Sequence, residues 1–158
     1  MGKTSLRPYQ IMAINGLYQA IKEGHKRIIL ALPTGGGKST VTAAVVYECV
    51  KYKKKVGFIV HSKELVVQFA QRLWNQFGIR SGIIMSGVET TPAEPVQVSS
   101  LMTLVRRKVP DCDIIFIDEC HRSKANSYQK IIEQYPDAIL VGLTATPLRP
   151  DRDWETMS

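Results

Sequence analysis

The stretch ALPTGGGKST, residues 31 to 40, constrains the fold more than any other part of the chain. It joins a run of aliphatic, β-branched residues to a helical pattern, so a glycine-rich loop must turn a strand into a helix. Gly35, Gly36 and Gly37 allow backbone torsions and a close approach that a β-carbon would block. The loop then presents backbone N–H groups to an anion at a helix N-terminus. Lys38 can reach the β- and γ-phosphates of a nucleotide, and Ser39 can offer its hydroxyl to Mg²⁺. The general phosphate-loop pattern asks for glycine where this chain has Leu32, so the strict form is not met. Phosphate is nevertheless the ligand expected here.

The rest of the chain gives that loop a sheet to sit on. Strand-like runs occur at RIILAL (27 to 32), VGFIV (56 to 60), VQVSS (96 to 100), DIIFID (113 to 118) and AILVGL (138 to 143), with GIIMSG (82 to 87) as a further candidate. Their near-continuous Ile, Val and Leu implies burial on both faces, and helical patterns separate most of them. Parallel strands joined by right-handed crossovers follow, giving an α/β fold with helices on both faces. A first helix is expected over roughly 8 to 22, from Pro8 and the helical spacing of Ile11, Ile14, Leu17, Tyr18 and Ile21, with Gly24 as its stop. VETTPAEPV (88 to 96) reads as an exposed loop.

A length of 158 residues suits one domain. With 44% hydrophobic residues, no apolar run near membrane-spanning length and no signal-peptide pattern at MGKTSLRPYQ, the expectation is a soluble, cytoplasmic protein without a membrane role. Cys49, Cys112 and Cys120 lack metal-ligand spacing and read as free thiols in a reducing compartment. The net charge of +7 is concentrated in residues 1 to 55, which hold ten Lys or Arg against two acids. Such a balance suits a polyanionic partner without proving one. The run KYKKK (51 to 55) reads as a solvated helix end, where lysine also favours the helix dipole.

A second chemistry-bearing element is IIFIDECH, residues 114 to 121. Carboxylates at the carboxyl end of a buried parallel strand lie where open α/β sheets bind ligands. Asp118 could hold Mg²⁺ through its water shell, and Glu119 could orient and deprotonate an attacking water.

With both elements in place, the chain resembles the first motor domain of a superfamily 2 helicase of the DExH kind. LPTGGGKS (32 to 39) resembles that family's motif I, in which Leu32 is no exception, DECH (118 to 121) resembles motif II, and LTATP (143 to 147) resembles motif III. LRPYQ (6 to 10) is similar to the adenine-recognition element, VHSKELVVQ (60 to 68) to motif Ia, and SSLMTL (99 to 104) to a later strand-contacting motif. The resemblance implies a RecA-like P-loop NTPase domain that uses ATP and Mg²⁺. It assigns nucleotide contacts to Arg7, Gln10, Thr34, Gly35, Gly36, Gly37, Lys38, Ser39 and Thr40, with Gln10 reading the base. Catalytic roles fall to Lys38, Asp118, Glu119 and His121, and metal binding to Ser39 and Asp118. Nucleic-acid contact falls to His61, Ser62, Lys63, Gln68, Ser99 and Thr103, and coupling of hydrolysis to movement to Thr144 and Thr146. It also implies that the motif III strand, 138 to 143, lies between the motif I and motif II strands.

The family needs a second RecA-like domain to supply arginine to the γ-phosphate, and no such half follows TATPLRPDRDWETMS. The expectation is an N-terminal piece of a longer motor that binds nucleotide but hydrolyses it poorly alone. LRPYQ, DECH and TATP together resemble DNA-acting repair, branch-migration and restriction motors more than RNA helicases, although some viral RNA helicases also carry DECH. A solitary nucleotide-binding interaction module is the alternative from another class. A small-molecule kinase is disfavoured, because Glu119 beside Asp118 suits water activation.

Overall fold

The computed structural model describes residues 6–32, 38–85, 93–104, 111–118 and 125–144. Helix α1 (Pro8–Lys22) leads into β1 (Arg27–Ala31), α2 (Lys38–Lys51), β2 (Val56–Val60) and α3 (Lys63–Phe77). Then come β3 (Ser81–Ile84), β4 (Val96–Ser100), the short α4 (Leu101–Leu104), β5 (Ile114–Ile117), α5 (Ala125–Gln134) and β6 (Ile139–Thr144). The six strands form one sheet in the order β1-β6-β5-β2-β4-β3, and every pairing is parallel. The motif III-like strand β6 therefore lies between β1 and β5, as the resemblance implied.

Period-two geometry explains why the strands lack polar alternation. Val56, Phe58 and Val60 of β2, Ile114 and Phe116 of β5, and Val141 and Leu143 of β6 enter one core, which also holds Leu17, Val41, Val45, Phe69 and Leu73 from α1, α2 and α3. The intervening Ile59, Ile115, Ile117 and Leu140 enter a second core with Leu101, Ile131 and Tyr135. Both faces are dry at β2 and β5, so both parities of these central strands are apolar.

Strand boundaries shift slightly from those expected. The 82 to 87 candidate is the edge strand Ser81–Ile84, and the motif II strand is confined to Ile114–Ile117. Val96, where the expected loop and the expected strand VQVSS meet, opens β4. Among the described residues, no helix is long and apolar enough to cross a membrane.

Helix ends follow local chemistry. Pro8 begins α1, where its missing N–H costs nothing. Ser62 caps α3 by accepting a hydrogen bond from the Leu65 N–H at 3.3 Å, and Gly78 ends that helix at φ 65°. KYKKK is the exposed exit of α2: Lys53 turns at φ 61°, its N–H donates to the Val50 carbonyl at 2.9 Å, and the Lys54 N–H donates to the Cys49 carbonyl at 2.8 Å. Gly78 and Lys53 hold the same left-handed backbone, one with and one without a β-carbon. Gly78→Ala has open space but the wrong torsion, so it should lower unfolding free energy by about 1–2 kcal/mol. Lys53→Gly relieves that torsion while adding unfolded-state entropy, and should stay within about 0.5 kcal/mol of the parent. Urea denaturation of both variants checks the contrast; equal losses would contradict it.

The two described cysteines, Cys49 and Cys112, form no disulfide among the described residues and are half-buried. Burial, then the Glu48 charge, pushes the Cys49 thiol up to about 11 from its ordinary 9.0. Burial, then Asp113 and Asp111, pushes Cys112 up to about 12. Unfolded thiols ionise near the ordinary value while the folded ones stay protonated. Their contribution is therefore fully present below pH 9.0 and lost as pH rises through about 11 and about 12. Native alkylation at pH 8 should be slow at both sites and fast in denaturant, and melting temperature should fall across that alkaline window. Rapid native alkylation of Cys112 would contradict the burial.

Candidate nucleotide and nucleic-acid site

All six strands run the same way, so their carboxyl ends share one rim, where open α/β sheets bind ligands. At that rim the Leu32 N–H donates to the Thr144 carbonyl at 2.9 Å, which extends the β1–β6 pairing by one residue beyond Ala31. The Asp118 N–H donates to the Ile59 carbonyl at 2.8 Å, which holds Asp118 at the tip of β5 beside β2. Lys38 opens α2 at the same rim, and the Thr42 hydroxyl donates to its carbonyl at 2.8 Å.

These placements bring together residues eighty positions apart. Lys38 Nζ lies 2.9 Å from Asp118 Oδ1, with the two side chains only 20% and 16% exposed. The distance makes this an ion pair. The buried Oδ1 nonetheless meets no donor in good hydrogen-bond geometry among the described residues, so the ammonium neutralises the carboxylate without saturating it. Ser39 and Asp118 line one small cavity of about 80 Å³, together with Gln68 and Arg72 of α3. Hydroxyl and carboxylate are the hard oxygen donors that Mg²⁺ takes, and the under-bonded Oδ1 leaves a lone pair for its water shell. No group of three His, Cys, Asp or Glu among the described residues could hold a metal.

The remaining expected residues are placed as follows. Gln10 is buried, and its amide oxygen accepts the Arg7 N–H at 2.8 Å, capping the first turn of α1; the Arg7 side chain is exposed. Thr40 is half-buried on the first turn of α2. His61 and Ser62 are half-buried and Lys63 is exposed at the amino end of α3. Ser99 and Thr103 are buried, at 3% and 6% exposure, and the Ser100 hydroxyl donates to Thr103 Oγ1 at 2.9 Å. Thr144 is fully buried. Thr34, Gly35, Gly36, Gly37, Glu119, His121 and Thr146 lie outside the described residues, as does Cys120.

Gln68 lines the cavity of Ser39 and Asp118 rather than lying beside Lys63. At about 100° per residue, Lys63 and Gln68 diverge by roughly 140° around the helix. Arg72, which the sequence reading did not single out, shares Gln68's face; its signal was the four-residue spacing from Gln68. Two larger hollows lie elsewhere. One, of about 400 Å³, is lined by residues including Lys53, Lys54, Lys55 and Asp111; the other, of about 570 Å³, runs between α3 and β3 beside Trp74. Neither includes Lys38, Ser39 or Asp118, so volume alone does not locate the chemistry.

The family model described as type III restriction enzyme, res subunit, matches residues 3–149. The type I restriction enzyme EcoAI endonuclease subunit of Escherichia coli is 30% identical over 90% of this chain, which covers 19% of that protein. The DNA 3'-5' translocase XPB2 of Sulfurisphaera tokodaii is 29% identical over 94% of this chain and 32% of its own length. The chain thus spans a minority of the length of the relatives it matches. Among solved structures, the Sulfolobus solfataricus SWI2/SNF2 ATPase core in complex with dsDNA superposes with a TM-score of 0.79 at 22% identity, over 98% of this chain and 35% of that one. The UvsW helicase of bacteriophage T4 gives 0.71 at 22% identity, over 98% and 57%. Matched over nearly its whole length, the chain belongs to the type III restriction enzyme res-subunit family, with the RecA-like fold of a superfamily 2 helicase's first motor domain.

Proposed function

We propose that this chain is the ATP-binding half of a nucleic-acid motor that acts on DNA, and that a second RecA-like domain completes it. The observation carrying the proposal is the Lys38–Asp118 pair, 2.9 Å apart beside Ser39 at the carboxyl rim of the sheet. Membership of a restriction-enzyme family supports the reading, as does likeness to a protein named a DNA translocase.

In this mechanism Lys38 leaves Asp118 for the β- and γ-phosphates, and glycines 35 to 37 offer their N–H groups to the same anion. Thr34 and Thr40 flank that contact. Ser39 and Asp118 would hold Mg²⁺, which when bound screens the charge of the transferring phosphoryl group. Glu119 orients the water and takes its proton, while His121, Thr144 and Thr146 connect the site to neighbouring elements. Gln10 reads adenine beside Arg7; its amide oxygen already accepts one hydrogen bond, but a carbonyl has a second lone pair. An arginine from the second domain would be worth about 10³–10⁵ in turnover, so the isolated chain should hydrolyse slowly.

The nucleic-acid contact starts at the amino end of α3, where Ser62 and Lys63 meet backbone phosphates and His61 flanks them. Ser99 and Thr103 are buried, so the β4–α4 junction would have to open before either hydroxyl met a phosphate.

Titration with ATP and GTP tests the nucleotide reading. Lys38→Ala should weaken both nucleotides. Gln10→Ala should erode the preference for ATP and, by removing a helix-capping acceptor, cost about 1 kcal/mol of stability. Glu119→Gln should abolish the slow hydrolysis while keeping binding. Equal affinity of the unmodified chain for ATP and GTP would refute base recognition at Gln10, and Lys38→Ala binding as tightly as the parent would refute the site.

Single-strand binding should be weak and indifferent to base sequence. Counterion release predicts a slope of log affinity against log salt of about −0.7 per phosphate neutralised, so a half-track should give roughly −1 to −3. Lys63→Ala should weaken all sequences alike and flatten the slope. Salt-independent binding, or a strong base preference, would contradict a strand track here.

A further inference from the structure

We infer that Arg72 is a positioning residue of the nucleotide site, the second partner of Asp118, which takes over the carboxylate when Lys38 moves to a phosphate. This rests on the nucleotide-binding reading above and assigns a role to a residue that reading does not use.

The geometry starts with α3. Leu65, Gln68, Phe69 and Arg72 stand at i, i+3, i+4 and i+7, a single stripe of the helix, and all four line the cavity of about 80 Å³ that Asp118 and Ser39 share. Phe69 stacks on Phe58 of β2 with ring centroids 3.7 Å apart and planes 16° from parallel, which pins the stripe and fixes where Arg72 can reach. Arg72 and Lys63, nine residues apart, point to opposite sides of the helix, about 180° around its axis. The guanidinium therefore belongs to the nucleotide side rather than to the strand-contacting end.

The charges point the same way. Arg72 is half-buried and makes no ion pair or hydrogen bond among the described residues, although the cavity contains a carboxylate. Asp118 Oδ1 meets Lys38 at 2.9 Å without a donor in hydrogen-bond geometry. One carboxylate is thus paired with Lys38 in a cavity that Arg72 also lines. With Lys38 withdrawn to a polyphosphate, a nearly buried aspartate facing Mg²⁺ through water would still need a charged donor on its other side to keep its orientation. Arg72 supplies it with a planar fork suited to a carboxylate. Gln68, one turn earlier on the same stripe, can donate to or accept from a water in the same space.

Two measurements on the 158-residue chain test this. The first is the affinity of a fluorescent ATP analogue in Mg²⁺ and in EDTA. Groups that orient a metal ligand typically matter about 10- to 100-fold in metal affinity, so Arg72→Ala and Arg72→Gln should lose about that much of the gain that Mg²⁺ confers. Arg72→Lys should recover most of it, and EDTA affinities should stay within about twofold of the parent. The second is a thermal-melt cycle without nucleotide. Removing Lys38 leaves Arg72 to neutralise Asp118, so Lys38→Ala with Arg72→Gln should lower the melting temperature by more than the sum of the single losses. Additive losses, or an unchanged Mg²⁺ gain in a folded Arg72→Gln protein, would overturn the inference while leaving nucleotide binding intact. Failure of the unmodified chain to bind the analogue would instead overturn the underlying reading and this inference with it.

Discussion

Burial of both faces of a parallel sheet is the constraint on which everything else here depends. A parallel pair cannot close through a tight hairpin, so each return crosses a face of the sheet, usually as a helix that covers it. Once both faces are covered, successive residues of β2, β5 and β6 serve opposite cores, as Phe58 and Ile59 do. The same rule sends every carboxyl end to one rim. A loop after β1, an aspartate after β5 and a helix start after β2 are thereby gathered by topology before any of them interacts.

The Lys38–Asp118 pair shows what that rim costs and what it makes available. Desolvating both charges is expensive, and the attraction between them does little more than offset it, so the pair is weak evidence for stability by itself. Its asymmetry is more informative. Taking one partner from a buried pair costs about 3–5 kcal/mol, less where a fifth of the side chain still meets water. An ammonium that can be drawn from its carboxylate only by a stronger anion is poised for phosphate. A carboxylate losing its ammonium is correspondingly receptive to a cation.

Much of this was legible in the sequence, for reasons that also mark where reading stops. The contiguous apolar run at 56–60 coincides with β2 because two-sided burial writes itself into every position, whereas β4 at 96–100 buries Gln97, Ser99 and Ser100 beside its two valines. The edge strand was harder. Ser81–Ile84 alternates in burial, and its extent is set by pairing with Val96 to Ser99, a register no local pattern displays. Strand order came from resemblance rather than from residues, since loops of similar length allow several orders. Ser99 and Thr103 looked like surface hydroxyls near the end of a strand, yet β4 lies between β2 and β3 and both are buried. Gln68 was grouped with Lys63 because they are neighbours in a motif, whereas helical phase turns them to different surroundings.

That phase difference gives α3 a particular place in the molecule. Its amino end carries Ser62 and Lys63, and its opposite side carries Gln68 and Arg72 against the cavity of Ser39 and Asp118. Nine residues of helix put Lys63 and Arg72 about 13 Å apart along one axis. The helix is fastened to the sheet through Val66, Phe69 and Leu73, all within the larger core, and through the stacked Phe58. Close-packed interiors transmit displacement rather than absorb it. A helix so held cannot move Arg72 toward or away from Asp118 without moving Lys63 as well. The amino end of α3 and its Gln68–Arg72 side are therefore parts of one body, so under the proposed function a displacement at the cavity of Ser39 and Asp118 would be felt at Ser62 and Lys63 without an intervening loop.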